Sequence, residues 1–325
     1  MGDQEARLNE LTYDEHCRII DEIAEAGCLW LLFTGGEIFA RKDFLDIYTY
    51  AKKNGLLITL FTNGIFLTPE IVDYLCEWRP FSIEISLYGR TKETYEQVTG
   101  VEGSYEKCMR GIHLLMERKL PLKLKTMVMT INKNEIWETK RFVEEELGLE
   151  FRFDGMINPC ADCSQDPISV RLSPQEVVEL DVKDPKRLAE WKRFCERYDG
   201  PVHRPGDFKE LYHCGGGVNS FAVDPYGRLN MCVLCPGDAY DLRRGSFREG
   251  WEHSIFNLRR QKITRQTKCT NCEIKAMCGM CPANGMLENK DPEEPVDFLC
   301  QVAHLRAKAL GIAIKPHGEC EYCKL

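Results

Sequence analysis

Residues 28–64 read CLWLLFTGGEIFARKDFLDIYTYAKKNGLLITLFTNG, and this stretch decides the fold class. An apolar run over 28–34 ends in Gly35-Gly36-Glu37. A helical pattern over 43–54 ends at Gly55, a residue suited to the left-handed cap of a helix. A second apolar run over 56–62 ends in Asn63-Gly64. Strand, helix and strand in that order form a β/α unit, whose parallel strands bring their C-terminal ends together.

The same alternation extends in both directions. Upstream, Thr12 and Glu15 have the spacing of a capping box, and Ile19, Ile20, Ile23 and Ala24 mark one face of a helix that stops near Gly27. Downstream, the pattern predicts a helix over 69–78, a strand over 81–88, helical segments over 91–98 and 104–119, a strand over 122–130, a helix over 135–147 and a strand over 149–156. The expected fold class is α/β: a partial (β/α)6 TIM-like barrel lacking its first strand, followed by a small cysteine-rich C-terminal domain. Within 81–88, Phe81, Ile83, Ile85 and Leu87 alternate with Ser82, Glu84, Ser86 and Tyr88. In a barrel the apolar set faces the helices and the polar set lines the interior. Phe151 and Phe153 alternate in the same way with Arg152 and Asp154, which makes these two polar residues candidate substrate contacts or partners for each other.

The expected domains are 1–159 (barrel), 160–213 (a linker with helices over 174–180 and 185–198) and 214–325 (cysteine-rich domain). In the last of these, Asp224-Pro225-Tyr226-Gly227 carries type I turn signals and joins 220–223 to 228–231 as a hairpin. The chain carries 43 basic and 51 acidic residues, a net charge of −8, and no basic run, so it is ill suited to a phosphate backbone and no nucleic-acid partner is expected. The opening MGDQEARLNE has no apolar signal segment, and no apolar run reaches the ~18 residues a membrane span requires. A cytoplasmic location and no membrane partner are expected.

Of the 17 cysteines, ten fall between Cys214 and Cys323. Without a secretion signal, clustered thiols point to metal rather than disulfides. Cys214 is followed by Gly227, Cys232 and Cys235; then come Cys269-x2-Cys272-x5-Cys278-x2-Cys281, and later Cys300. Two cysteines separated by two residues can aim both thiolates at one centre. Four thiolates complete the shell of either a zinc ion or a 4Fe-4S cluster, so spacing alone leaves the metal open.

This array resembles the SPASM domain of radical S-adenosylmethionine enzymes, and the resemblance selects iron–sulfur. It implies two auxiliary 4Fe-4S clusters. One is held by Cys269, Cys272, Cys278 and Cys300. The other is held by Cys214, Cys232 and Cys281 with Cys235 as fourth ligand, or with Cys320 or Cys323 in its place. Two departures from the family pattern stand out: Cys278 and Cys281 are two residues apart where three are common, and Cys235 is additional.

In the light of that resemblance, Gly35-Gly36-Glu37 is similar to the GGE motif that binds the amino group of S-adenosylmethionine. Asn63 is similar to a second strand-end position, Ser86 is a candidate for the ribose hydroxyls, and Lys125 is a candidate for the carboxylate. By themselves two glycines make a turn, although they also let a ligand approach the backbone closely. The resemblance also implies a peptide, protein or small-molecule substrate and an electron donor such as flavodoxin or ferredoxin. It further implies a catalytic 4Fe-4S cluster on a CxxxCxxC loop after the first barrel strand, where reductive cleavage of the cofactor yields a hydrogen-abstracting 5′-deoxyadenosyl radical. That loop would precede the helix at Thr12. Residues 1–11 hold no cysteine, and Cys160-x2-Cys163 follows the last strand. The expectation is therefore an N-terminally shortened sequence whose full-length parent holds the catalytic cluster, with a degenerate, non-catalytic member as the rival. An iron–sulfur scaffold protein and a zinc-binding module are the readings from other classes.

Overall fold

The computed structural model describes residues 9–197, 209–235 and 239–324. It divides into two compact units, one running to Asp154 and including Ser246–Arg248, the other comprising the rest.

The first unit opens with α1 (Tyr13–Glu25). Its Thr12 hydroxyl accepts from the Glu15 amide while the Glu15 carboxylate reaches back to the Thr12 amide, so the capping box forms as its spacing predicts. Then β1 (Trp30–Phe33), α2 (Phe44–Lys53), β2 (Leu57–Thr62), α3 (Pro69–Glu77), β3 (Ser82–Ser86), α4 (Lys92–Thr99), α5 (Ser104–Glu117), β4 (Leu122–Met127), α6 (Ile136–Arg141) and β5 (Glu150–Asp154) follow in order. All five strands are parallel and neighbours in sequence are neighbours in space, β1-β2-β3-β4-β5. This is the expected α/β fold, a partial TIM-like barrel.

The two faces of the sheet differ as the alternation requires. Ile58, Leu60, Ile83, Ile85, Leu124, Phe151 and Phe153 are buried on the apolar face. Glu84, Lys123, Lys125, Glu150 and Arg152 occupy the alternate positions, and the strand register sets Lys123 beside Glu84 and Lys125 beside Arg152. One close approach fixes a helix against the strand ends: a Cβ on Gly111 in α5 would lie 2.4 Å from the Gly64 carbonyl oxygen, so only glycine fits there. The expected helix over 135–147 is in fact a 3-10 turn, α6 and a π-helical turn over Phe142–Glu146, which keeps Phe142 and Val143 both buried.

The second unit contains α7 (Pro174–Lys183) and α8 (Pro185–Arg197), which lie in the expected linker yet pack within this unit. A small antiparallel sheet follows, β6 (Ala222–Val223), β7 (Arg228–Asn230) and β8 (Tyr240–Asp241). The β6–β7 turn forms at the expected residues. Gly227 N donates to Asp224 O at 3.1 Å, and Asp224 Oδ1 accepts from Tyr226 N and Arg228 N, both at 2.9 Å. The short helices α9 (Lys275–Cys278) and α10 (Pro282–Asn289) and the longer α11 (Asp297–Ala309) complete it. Its core joins Ile274, Met277, Val296, Leu299, Ala303 and Ala307 with the thiol of Cys278. Among the described residues, no helix is long and apolar enough to cross a membrane.

Candidate cofactor and metal sites

At the C-terminal ends of the strands, Glu37 ties β1 to β2. Its Oε1 accepts from Thr62 Oγ1 at 2.7 Å and from Phe39 N at 3.1 Å, and its Oε2 accepts from Asn63 N at 2.7 Å. Gly35, Gly36, Glu37 and Asn63 are thereby held together. Gly35 has φ of 148°, a region open to glycine, and nothing lies within 4 Å of where a side chain on Gly35 or Gly36 would begin. The backbone there is bare on the side a ligand would approach.

Across the polar face, Glu84 is the residue that sequence reasoning passed over as a site member. It is 9% exposed and faces two cations: Lys125 Nζ at 3.2 Å from Oε2, and Arg152 Nη1 at 3.9 Å from Oε1. The Lys125 ammonium also sits over the Phe61 ring of β2. Burial pulls the Lys125 pKa down, with Glu84 opposing that shift. Ser86 is in register with Lys125, and Asp154 with Met127. Arg152 therefore has Glu84 as a neighbour across the sheet. Ser82 Oγ, on the same face, is buried with no hydrogen-bond partner. Behind these strand ends, Asn132 holds the exits of β3 and β4 together. Its Nδ2 donates to Tyr88 O at 2.9 Å and Met127 O at 3.0 Å, and its Oδ1 accepts from Met129 N at 2.7 Å.

The cysteines of the second unit form two groups. Cys235 is buried with Tyr212, Met231 and Ala283, and Cys232 and Cys281 pack against the same cluster. Cys214 joins them across Gly216, whose missing Cβ would lie 3.4 Å from Cys214 Sγ and 3.2 Å from Met231 Cγ; the Cys281 thiol is raised by burial and, less strongly, by its neighbours Cys214 and Cys235. The second group, Cys269, Cys272, Cys278 and Cys300, lines one cavity together with Lys268 and Lys275. Burial pushes the Cys272 and Cys278 thiols up to about 12. A cation bound among them would favour their thiolates. Cys320 and Cys323 lie apart from the first group, against His304 and His317.

Residues 3–143 match the Radical SAM superfamily. The match lies in the N-terminal part of the chain. An AdoMet-dependent heme synthase of Methanosarcina barkeri is 28% identical over 303 residues, 88% of this chain and 87% of its own length. A PqqA peptide cyclase of Rhizobium meliloti is 26% identical over 279 residues, 82% of this chain and 72% of its own length. The solved structure of native anSMEcpe with bound AdoMet superposes with a TM-score of 0.64 at 14% identity, covering 92% of this chain and 89% of that one, a likeness of fold.

The residues present fit the groups that radical SAM proteins use. The bare Gly35–Gly36 backbone and the cationic Lys125 suit a zwitterionic cofactor. The two sets of four thiols, with Cys235, Cys278 and Cys300 buried and Cys214 exposed, have the donor chemistry of 4Fe-4S centres.

Proposed function

We propose that this chain belongs to a radical SAM oxidoreductase with two auxiliary 4Fe-4S clusters that modifies a peptide, a protein or a natural product, although residues 1–325 carry no CxxxCxxC set for the catalytic cluster. The observation that carries the reading is the sorting of eight cysteines into two convergent sets of four, in a chain whose other unit is a radical SAM barrel. In this reading the 1–159 segment binds the cofactor and the 214–325 segment holds the clusters. The Gly35 and Gly36 carbonyls accept the cofactor's ammonium, with Asn63 alongside. Ser86 meets the ribose and Lys125 the carboxylate, while Glu84 holds Lys125 in place until a ligand carboxylate shares it. Arg152, its side chain 63% exposed, and Asp154 face the substrate. S-adenosylmethionine would supply hydrogen-abstraction chemistry once an electron from a catalytic cluster cleaves it, and the auxiliary clusters would supply one-electron transfer. The cytoplasm provides the reducing setting, with a flavodoxin or ferredoxin as donor. A tetrapyrrole precursor is the second substrate class, favoured by the heme synthase relative that spans 88% of this chain.

Anaerobic loading with iron and sulfide, followed by equilibrium dialysis against labelled S-adenosylmethionine, tests the reading. The expected result is about eight iron and eight sulfide per chain, two four-iron clusters. Saturable cofactor binding is expected as well, lost in Gly36→Leu. A colourless chain holding only zinc would overturn the cluster assignment. Full cluster loading with no cofactor binding would establish the scaffold reading instead.

A further inference from the structure

Four side chains that neither cysteine group uses converge at the end of α11. The ligand atoms of His304, His317, Cys320 and Cys323 all lie within 4.8 Å of one another. His304 Nε2 is 3.7 Å from Cys320 Sγ and 3.6 Å from Cys323 Sγ, and Cys323 Sγ is 3.3 Å from His317 Nδ1 and 3.9 Å from its Nε2. A tetrahedral zinc shell, with metal–sulfur distances of about 2.3 Å and metal–nitrogen distances of about 2.0 Å, places sulfur and nitrogen ligands about 3.5 Å apart. The Nε2–sulfur separations, 3.6, 3.7 and 3.9 Å, lie just above that value. We infer that these residues form a structural Cys2His2 zinc site adjoining the second cysteine group, whose cavity His304 and His317 also line.

The surroundings support a metal rather than mere packing. His304 is 1% exposed, and His317 and Cys320 are 7% exposed. His304 Nδ1 donates to the Cys300 carbonyl at 2.8 Å, which leaves the lone pair on Nε2 aimed at both sulfurs. A backbone carbonyl holding the far nitrogen is how ligating histidines are commonly oriented. His317 Nδ1 donates to the Lys315 carbonyl at 3.1 Å, which leaves Nε2, 3.9 Å from Cys323 Sγ, as its ligating nitrogen. Buried thiols alone would behave as small apolar groups and would not require two imidazoles to turn toward them. Two cysteines and two histidines, with Cys320 and Cys323 separated by two residues, make a closed four-ligand set that suits zinc over metals preferring oxygen ligands or open positions. Binding displaces the two thiol protons to solvent, and the histidines enter neutral.

The site has a structural consequence. Cys300 sits one turn before His304 on α11, and its Sγ is 3.7 Å from Cys320 Sγ. A zinc ion would therefore staple the segment after α11 onto the helix that presents Cys300, fixing that thiol for the second cluster.

Zinc and iron analysis of the full chain, loaded anaerobically with iron and sulfide, decides the matter. About one zinc per chain is expected, as a single closed tetrahedral site requires. Cys323→Ala and His317→Ala should lose the zinc and keep iron and sulfide. His317→Cys, which preserves a four-ligand set, should keep both. Cys300→Ser should do the reverse of Cys323→Ala, shedding one cluster's iron while holding zinc. Cobalt loaded in place of zinc should give the intense visible bands of tetrahedral thiolate-ligated cobalt, a readout on the native chain that needs no variant. Absence of both zinc and the cobalt bands overturns the inference. So does loss of iron rather than zinc from Cys323→Ala, which would hand that thiol to a cluster. A chain that takes zinc but no iron would defeat the proposed function and leave this site standing.

Discussion

A carboxylate offers about four lone-pair positions to donors, and Glu37 gives three of them to its own chain, at Thr62, Asn63 and Phe39. The residue that the resemblance marks as a cofactor contact is thus also the clasp between two strand ends. Removing it leaves three donors without their charged acceptor. Glu37→Ala should destabilise the barrel unit by about 2–3 kcal/mol, the range for hydrogen bonds to a charged group, and this should register as a lower urea midpoint at unchanged slope. A midpoint within error of the parent would mean that water replaces the carboxylate without cost. Glu135 clasps in the same way further along. It accepts from the amides of Arg90 and Thr91 and from the hydroxyls of Thr91 and Thr94, so it caps α4 from a loop beyond β4. Burial raises its pKa, but the hydroxyl and amide donors outweigh that and hold it low.

Elements are where sequence and structure part most instructively. The period-two runs located β1 to β5, because each is half-apolar and bounded by turn residues. Their ends were expected too far out, and β4 shows why. The pattern runs to residue 130, but the strand stops at Met127, where the Asn132 side chain takes the Met127 carbonyl and the Met129 amide out of the ladder. β8 has two residues and no period to read. The spacing of the cysteines marks them as a metal-type array, whereas His304 on α11 gives no sign that it meets two tail thiols. α7 was expected as part of a linker for a similar reason. Asp181 lies among Val177, Val178 and Leu180, and nothing local shows that it pairs with Arg306, far along the chain. Yet Asp181 Oδ2 is 2.8 Å from Arg306 Nη2, its Oδ1 accepts from Arg187 Nε at 2.9 Å, and Arg306 Nη1 donates to Met277 O at 2.7 Å beside Cys278. Asp181 is 2% exposed and Arg306 5%. Breaking one side of a buried pair strands the other charge, so Asp181→Ala should cost about 3–5 kcal/mol. The double replacement Asp181→Leu with Arg306→Met should recover most of that by apolar packing. Equal losses in the single and double variants, measured by urea unfolding, would show that the ion pair itself, not the stranded charge, sets the cost.

At the scale of the whole molecule, the two units differ in what holds them. The barrel unit rests on a parallel sheet covered by helices, with Ile58, Leu60, Ile83, Ile85 and Leu124 fully buried. The second unit has two- and three-residue strands, short helices and a core that includes Cys278 and packs against Cys272. A unit so poor in regular structure gains much of its stability from any metal that binds only the folded form. Stripping metal with an anaerobic chelator should therefore act unequally. In hydrogen exchange followed by mass spectrometry, peptides covering α9, α10 and α11 should exchange at least about tenfold faster after stripping, the change that corresponds to about 1.4 kcal/mol of lost protection. Peptides covering β2, β3 and β4 should exchange at the same rate before and after. Equal acceleration in both sets would mean that the two units open together and that metal in one supports the other. No acceleration in either would mean that the second unit's apolar core holds its fold unaided, leaving the thiol groups with a chemical role alone.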